Sequence, residues 1–198
     1  MTVQSSNPNC NDVDAAEMDI LIHTPDSTES CFSQKTFPYD RLMEQWTVMA
    51  STLPLWKGRK NVTISYSPID GKPMSDTFLD KVQFSWSEAT APGTERWTLE
   101  GVDTVQLINK GELSTNTENG VKYRWAATGL MGWVCPPANW QLLGFFLAND
   151  PQRKDEDWVV TYFGKTLFTP AGLDIYARNP KAFDISKVRK IISKMMTR

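Results

Sequence analysis

The side chains able to do chemistry in this 198-residue sequence are few in kind. A single histidine, His23, and three cysteines, Cys10, Cys31 and Cys135, form no C-x-x-C pair and no cluster with transition-metal spacing. A Ser-His-Asp relay would have to recruit His23 from a polar leader, and no phosphate-loop motif is present. The chain is instead rich in aromatics, with eight Trp, five Tyr and nine Phe. Phenols and carboxyls set among aromatic walls can polarise or protonate a bound molecule unaided, so no cofactor and no metal are expected. The candidate catalytic groups are Tyr176 and Asp174, which share strand parity, together with Tyr123 and Tyr162. An Asp facing an apolar interior would have a raised pKa suited to proton transfer, whereas Asp174 turned to solvent at a strand end would do nothing of the kind. Glu100 and Lys81 carry the same ambiguity.

The elements that must position these groups are short strands. Runs rich in β-branched and aromatic residues occur at Trp46–Thr52, Asn61–Ser67, Phe78–Trp86, Arg96–Gly101, Val105–Asn109, Lys122–Thr128, Trp140–Phe146, Trp158–Phe163 and Leu173–Arg178. Turn chemistry separates many of them, as at Ser67-Pro68-Ile69-Asp70-Gly71, Asn119-Gly120 and Thr169-Pro170-Ala171-Gly172. Eight or so strands joined by short turns predict an all-β, up-and-down antiparallel barrel, since closure removes free edges and leaves room for one ligand.

Side chains alternate in and out along a strand, and the aromatics suggest which set faces inward. Phe84 and Trp86 share a face, as do Tyr123 and Trp125, and Trp158 and Tyr162, while Lys81, Gln83, Ser85, Lys122 and Arg124 take the opposing faces. With Tyr66, Trp97 and Trp140, these aromatics form the expected ligand-binding set, which Tyr176 joins on the inward face. Inward tyrosines suggest a ligand that carries a few oxygens; the alternative is that each hydroxyl bonds a neighbouring backbone carbonyl and the rings only fill a core.

Residues 1–35 are rich in Asn, Asp, Ser and Thr and read as a flexible arm, too poor in apolar residues to contribute much to folding. Residues 36–198 form the barrel domain. Near its end Ile185, Val188, Ile192 and Met195 recur at helical steps among Lys187, Lys190, Lys194 and Arg198, predicting a helix over 184–196, capped by Asp184 and packed outside the barrel. A net charge of −2 without a basic stripe excludes nucleic acid as the expected partner. No cationic, apolar leader and no run of about 18 apolar residues is present, so the expectation is a cytoplasmic protein without membrane insertion. A homodimer is left open.

Three segments resemble the lipocalin, or calycin, superfamily over roughly residues 40–195. Glu44-Gln45-Trp46-Thr47 is similar to its opening motif, with Glu44 where the motif has Gly. Lys60-Asn61-Val62-Thr63-Ile64-Ser65-Tyr66 resembles its second strand, and Leu173-Asp174-Ile175-Tyr176-Ala177-Arg178-Asn179-Pro180, followed by a helix, resembles its last strand ending in the motif Arg. Trp140–Phe145 and Trp158–Gly172 look closest to intracellular lipocalin-like proteins of fungi. The resemblance implies that Arg178 lies across Trp46 and closes one end of the barrel, a structural role. It also implies a small hydrophobic organic ligand. Two functions follow: a cofactor-free isomerase or cyclase of secondary metabolism, toward which the missing signal peptide and disulfides tilt the reading, or a carrier that only binds.

Overall fold

The computed structural model describes residues 22–25, 37–86, 96–106, 121–148 and 150–196. Cys10, Cys31 and most of the 1–35 arm lie outside the described residues. The strands are β1 (Glu44–Ser51), β2 (Lys60–Pro68), β3 (Thr77–Ser85), β4 (Trp97–Val105), β5 (Val121–Ala127), β6 (Ala138–Phe146), β7 (Trp158–Phe163) and β8 (Gly172–Ala177). Each pairs antiparallel with the next, and β8 returns to β1 to close an eight-stranded barrel. A short helix α1 (Tyr39–Leu42) precedes the barrel and α2 (Ile185–Met196) follows it.

The expected strand Arg96–Gly101 runs on without a break to Val105 as β4, while residues 107–109 of the expected strand Val105–Asn109 lie outside the described residues. Gly101, which looked like a strand end, sits in register between Asp80 on β3 and Ala127 on β5. A Cβ on it would lie 2.3 Å from the indole nitrogen of Trp125, so the glycine marks a close approach inside the barrel and not a turn.

At one end the barrel is sealed. Trp46 is fully buried and its indole nitrogen donates to the Leu42 carbonyl at 2.8 Å, tying β1 to α1. The Arg178 guanidinium lies 3.6 Å from the Trp46 ring centre, as the family resemblance implied, and donates to the carbonyls of Gln45 and Arg41. Burial lowers its pKa to about 10. Such a stacked cation contributes about 0.5–2 kcal/mol. Asp157, also fully buried, accepts from Arg41 at 3.1 Å and from the Ala148 N–H at 2.7 Å.

The wall separates two apolar cores. Inside lie Tyr66, Phe78, Tyr123, Trp140 and Tyr176 with the aliphatic residues of β2 and β5 to β7. Outside, α2 packs on β6, β7, β8 and β1 through Val188, Ile191 and Met195, with Phe183 ahead of it. Asp184 caps the helix by accepting from the Lys187 N–H at 2.9 Å. The seam runs 188–191–195; Ile185 and Ile192, expected in it, are turned to solvent. Ile22 is buried in this outer core, and the His23 N–H donates to the Leu143 carbonyl at 2.8 Å. These residues tether the arm by a contact that its composition did not reveal.

Candidate functional site

Strand alternation brings the interior together as a cup with an acidic floor. On β3 the inward residues are Phe78, Asp80, Val82 and Phe84; on β4 they are Leu99, Gly101, Asp103 and Val105. Asp80 and Asp103 therefore meet inside the barrel, both buried. Asp103 accepts a 2.7 Å hydrogen bond from the Trp140 indole on β6. Burial pushes the Asp103 pKa up to about 7, partly offset by hydrogen bonds from Trp140 and Asp80. Burial, then the Asp103 charge, pushes the Asp80 pKa well above its ordinary value. Asp80 Oδ1 and Asp103 Oδ2 have no conventional donor, and the pair is satisfied when Asp80 keeps a proton and donates it to Asp103. Two carboxylates this close cannot both ionise in a low-dielectric site.

Three phenols surround the pair. Tyr66 stacks on Trp140 with ring centres 5.9 Å apart, and Tyr123 stacks on the same indole at 4.6 Å. Tyr176 donates to Asp174 Oδ2 at 3.3 Å. Desolvation raises the pKa of all three phenols well above the ordinary tyrosine value, so they remain hydrogen-bond donors. Asp174 is fully buried and faces inward with Tyr176; it also accepts from the Trp56 indole at 3.0 Å. Its pKa is raised by burial against the hydrogen bonds from Ser51, Trp56 and Tyr176.

Above this floor the walls open. Trp56, Phe84, Leu99, Trp125 and Phe163 pack on the inner core but are only half-buried, in contrast to the sealed rings below. The Trp125 indole N–H, packed over Gly101, is buried without an acceptor. At the lip, the Arg59 guanidinium stands 4.5 Å from the Phe84 ring centre and 4.9 Å from that of Trp86.

Of the residues expected in the site, Tyr66, Phe84, Tyr123, Trp125, Trp140, Asp174 and Tyr176 come together inside. Trp86 and Trp97 have the right parity but stand at the rim, largely exposed. Trp158 and Tyr162 do not join them: they point outward beneath α2, and Val159, Thr161 and Phe163 face in. Aromatics on β7 were a poor guide because the helix buries that strand on both faces. Tyr162 instead lines a cavity of about 290 Å³ on the outer wall with Ile22, Leu143 and Met195. Lys81 and Glu100 are also outside, facing each other at 4.0 Å across the exposed surface. Asp80 and Asp103 were missed, although Asp80 shares parity with Phe84 and Asp103 lies two residues from Gly101; the alternation rule applied to those strands finds both.

A closed eight-stranded meander, a Trp–Arg seal at one end and a helix on the outer wall define the lipocalin fold. Among solved structures it is similar to lobster apocrustacyanin A1, at 12% identity and a TM-score of 0.51, over 90% of this chain and 83% of that one. It is also similar to apocrustacyanin C2, at 13% identity and a TM-score of 0.50, with the same coverage. Crustacyanins are lipocalins, and at such identity the likeness is one of fold. No protein-family model and no curated protein matches the sequence.

Proposed function

We propose that the barrel binds one small, mostly apolar molecule bearing an oxygen or two and acts on it as a cofactor-free isomerase or cyclase, with Asp80 as the acid. The observation that carries this reading is the Asp80–Asp103 pair, buried at the floor of an aromatic cup. A core built for stability alone gains nothing from two desolvated carboxyls, which a pair of apolar residues would replace without penalty. In a catalyst the same pair holds a proton at neutral pH among aromatic walls, where proton donation to a carbonyl or alkene acts in a low dielectric. The aromatic walls supply fixed geometry, which by itself lowers barriers for folding a flexible substrate. Trp125 offers a donor to a ligand oxygen, and the Tyr123 hydroxyl offers another.

The test is capture followed by conversion. Native mass spectrometry of the full-length chain with extracts of its source identifies the ligand, and chromatography of the released molecule compares its isomers before and after incubation. An isomerase returns the same mass with a changed retention time. Asp80→Asn should retain the ligand and return it unconverted, and chelators should have no effect. Wild-type protein that releases its ligand unchanged after long incubation would show the barrel to be a carrier.

A further inference from the structure

The open end carries a second pattern, on its outside. Four connectors surround the mouth: 52–59 between β1 and β2, 86–96 between β3 and β4, 128–137 between β5 and β6, and 164–171 between β7 and β8. Each bears or flanks large apolar side chains turned to solvent. Trp133 is 90% exposed and Leu130 87%, on one connector; Leu167 is 83% and Phe168 72%, on another. Leu55, Trp86 and Trp97 continue the rim on the remaining two. Among the described residues, no large apolar side chain is exposed on a connector at the sealed end.

Charge follows the same division. The described charged residues of the open-end connectors are Lys57, Arg59, Arg96 and Lys165, and Lys60 opens β2 beside them; none is acidic. The sealed-end connectors mix signs, with Asp70, Lys72 and Asp76 on one and Asp150, Lys154 and Asp155 among those on another. By sequence the 86–96 connector also carries Glu88 and Glu95, outside the described residues, so the connectors of the mouth hold Lys57, Arg59, Arg96 and Lys165 against those two carboxylates, an excess of positive charge beside tryptophan in a chain of net charge −2.

We propose that this rim docks on the surface of a lipid bilayer containing anionic lipid, with the mouth of the barrel facing the lipid. Tryptophan is favoured at the membrane–water interface, and lysine and arginine beside it are drawn to anionic headgroups. A second copy seated mouth to mouth would bring like-charged rims together, which argues for the bilayer over a dimer. Docking is peripheral: no described helix is long and apolar enough to cross a membrane. It places the opening where apolar molecules dissolve, and it holds whether the barrel converts its ligand or only carries it.

The full-length chain is tested by co-sedimentation with vesicles of phosphatidylcholine alone and of phosphatidylcholine mixed with phosphatidylserine. Wild type should bind the mixed vesicles more tightly, and added salt should weaken that binding. The double substitution Trp133→Ser and Phe168→Ser should weaken binding by about tenfold or more, since each removes a large apolar side chain from the contact. Lys57→Glu with Lys165→Glu should abolish the preference for phosphatidylserine. All four positions are exposed, so thermal melts should match wild type and confirm that the variants fold. Wild type that binds neither vesicle, or variants that bind as wild type does, would overturn the proposal. So would sedimentation velocity showing a dimer that Trp133→Ser dissolves and vesicles do not compete away.

Discussion

The sealed and open ends of this barrel are made from opposite ends of the same eight strands, and they differ in how far their aromatic walls are covered. At the sealed end the Trp46 indole has a carbonyl, Asp157 has an arginine and a backbone N–H, and Arg178 has a ring face and two carbonyls. Toward the open end the Trp125 indole N–H and Asp174 Oδ1 are buried without partners, and the aromatic walls are half exposed. Satisfied polar groups in close packing add stability and leave nothing for a ligand, whereas unpaired donors beside an opening are held ready for one. Unpaired atoms alone do not separate the ends, because Arg178 Nε and the Tyr39 hydroxyl are buried without partners near the seal; what separates them is that the walls around Trp125 are half exposed.

The largest expected effect lies at the sealed end. Trp46→Ala should destabilise by about 3–5 kcal/mol, through the cavity and the loss of the ring beneath Arg178, as read from a urea unfolding curve. A loss under about 1 kcal/mol would mean that α1 and Arg178 close the barrel without it.

The next test is of the carboxyl pair. Asp103 holds its proton to about pH 7 in the folded chain against 3.8 in the unfolded one. Between those values the folded state binds more protons, so stability falls as pH rises through the window and this group adds no further slope above it. Asp103→Asn should flatten that fall and leave the variant relatively more stable at alkaline pH. Urea midpoints measured across the window decide it, and an unchanged slope would show that the pair is not the group responsible.

A smaller effect belongs to the tethered arm. Ile22→Ala should lower stability by about 1–3 kcal/mol, because the side chain is buried in the outer core, and the melting temperature records it. Deleting residues 1–35 should cost at least as much, against the sequence expectation of no change. The smallest effect is at Tyr162, outside the barrel: Tyr162→Phe should leave ligand conversion unchanged, whereas Tyr176→Phe should lower it by a modest factor. Equal losses in both would place the reacting molecule on the outer wall.

The sequence alone determined the closed meander, the capped C-terminal helix and the pairing of residues on common faces, whereas the Trp46–Arg178 seal was implied only by the resemblance to lipocalins. Period-two alternation and local turn and cap chemistry are properties of consecutive residues, and they survive without any knowledge of neighbours. Alternation also places Asp80 with Phe84 and Asp174 with Tyr176 on single faces, so most of the floor was legible in principle. What alternation does not supply is the identity of the inner face. On β3 to β5 one face is polar and the choice is plain; on β7 both faces are apolar because α2 covers the outside, and Trp158 and Tyr162 went to the helix. Tertiary structure alone decided that, together with the bulge between Leu142 and Gly144 that puts Leu143 outside and Phe145 back inside. It also decided the meeting of Asp80 and Asp103, since a carboxyl's neighbour across a strand pair depends on register, which is set by the closure of the whole sheet.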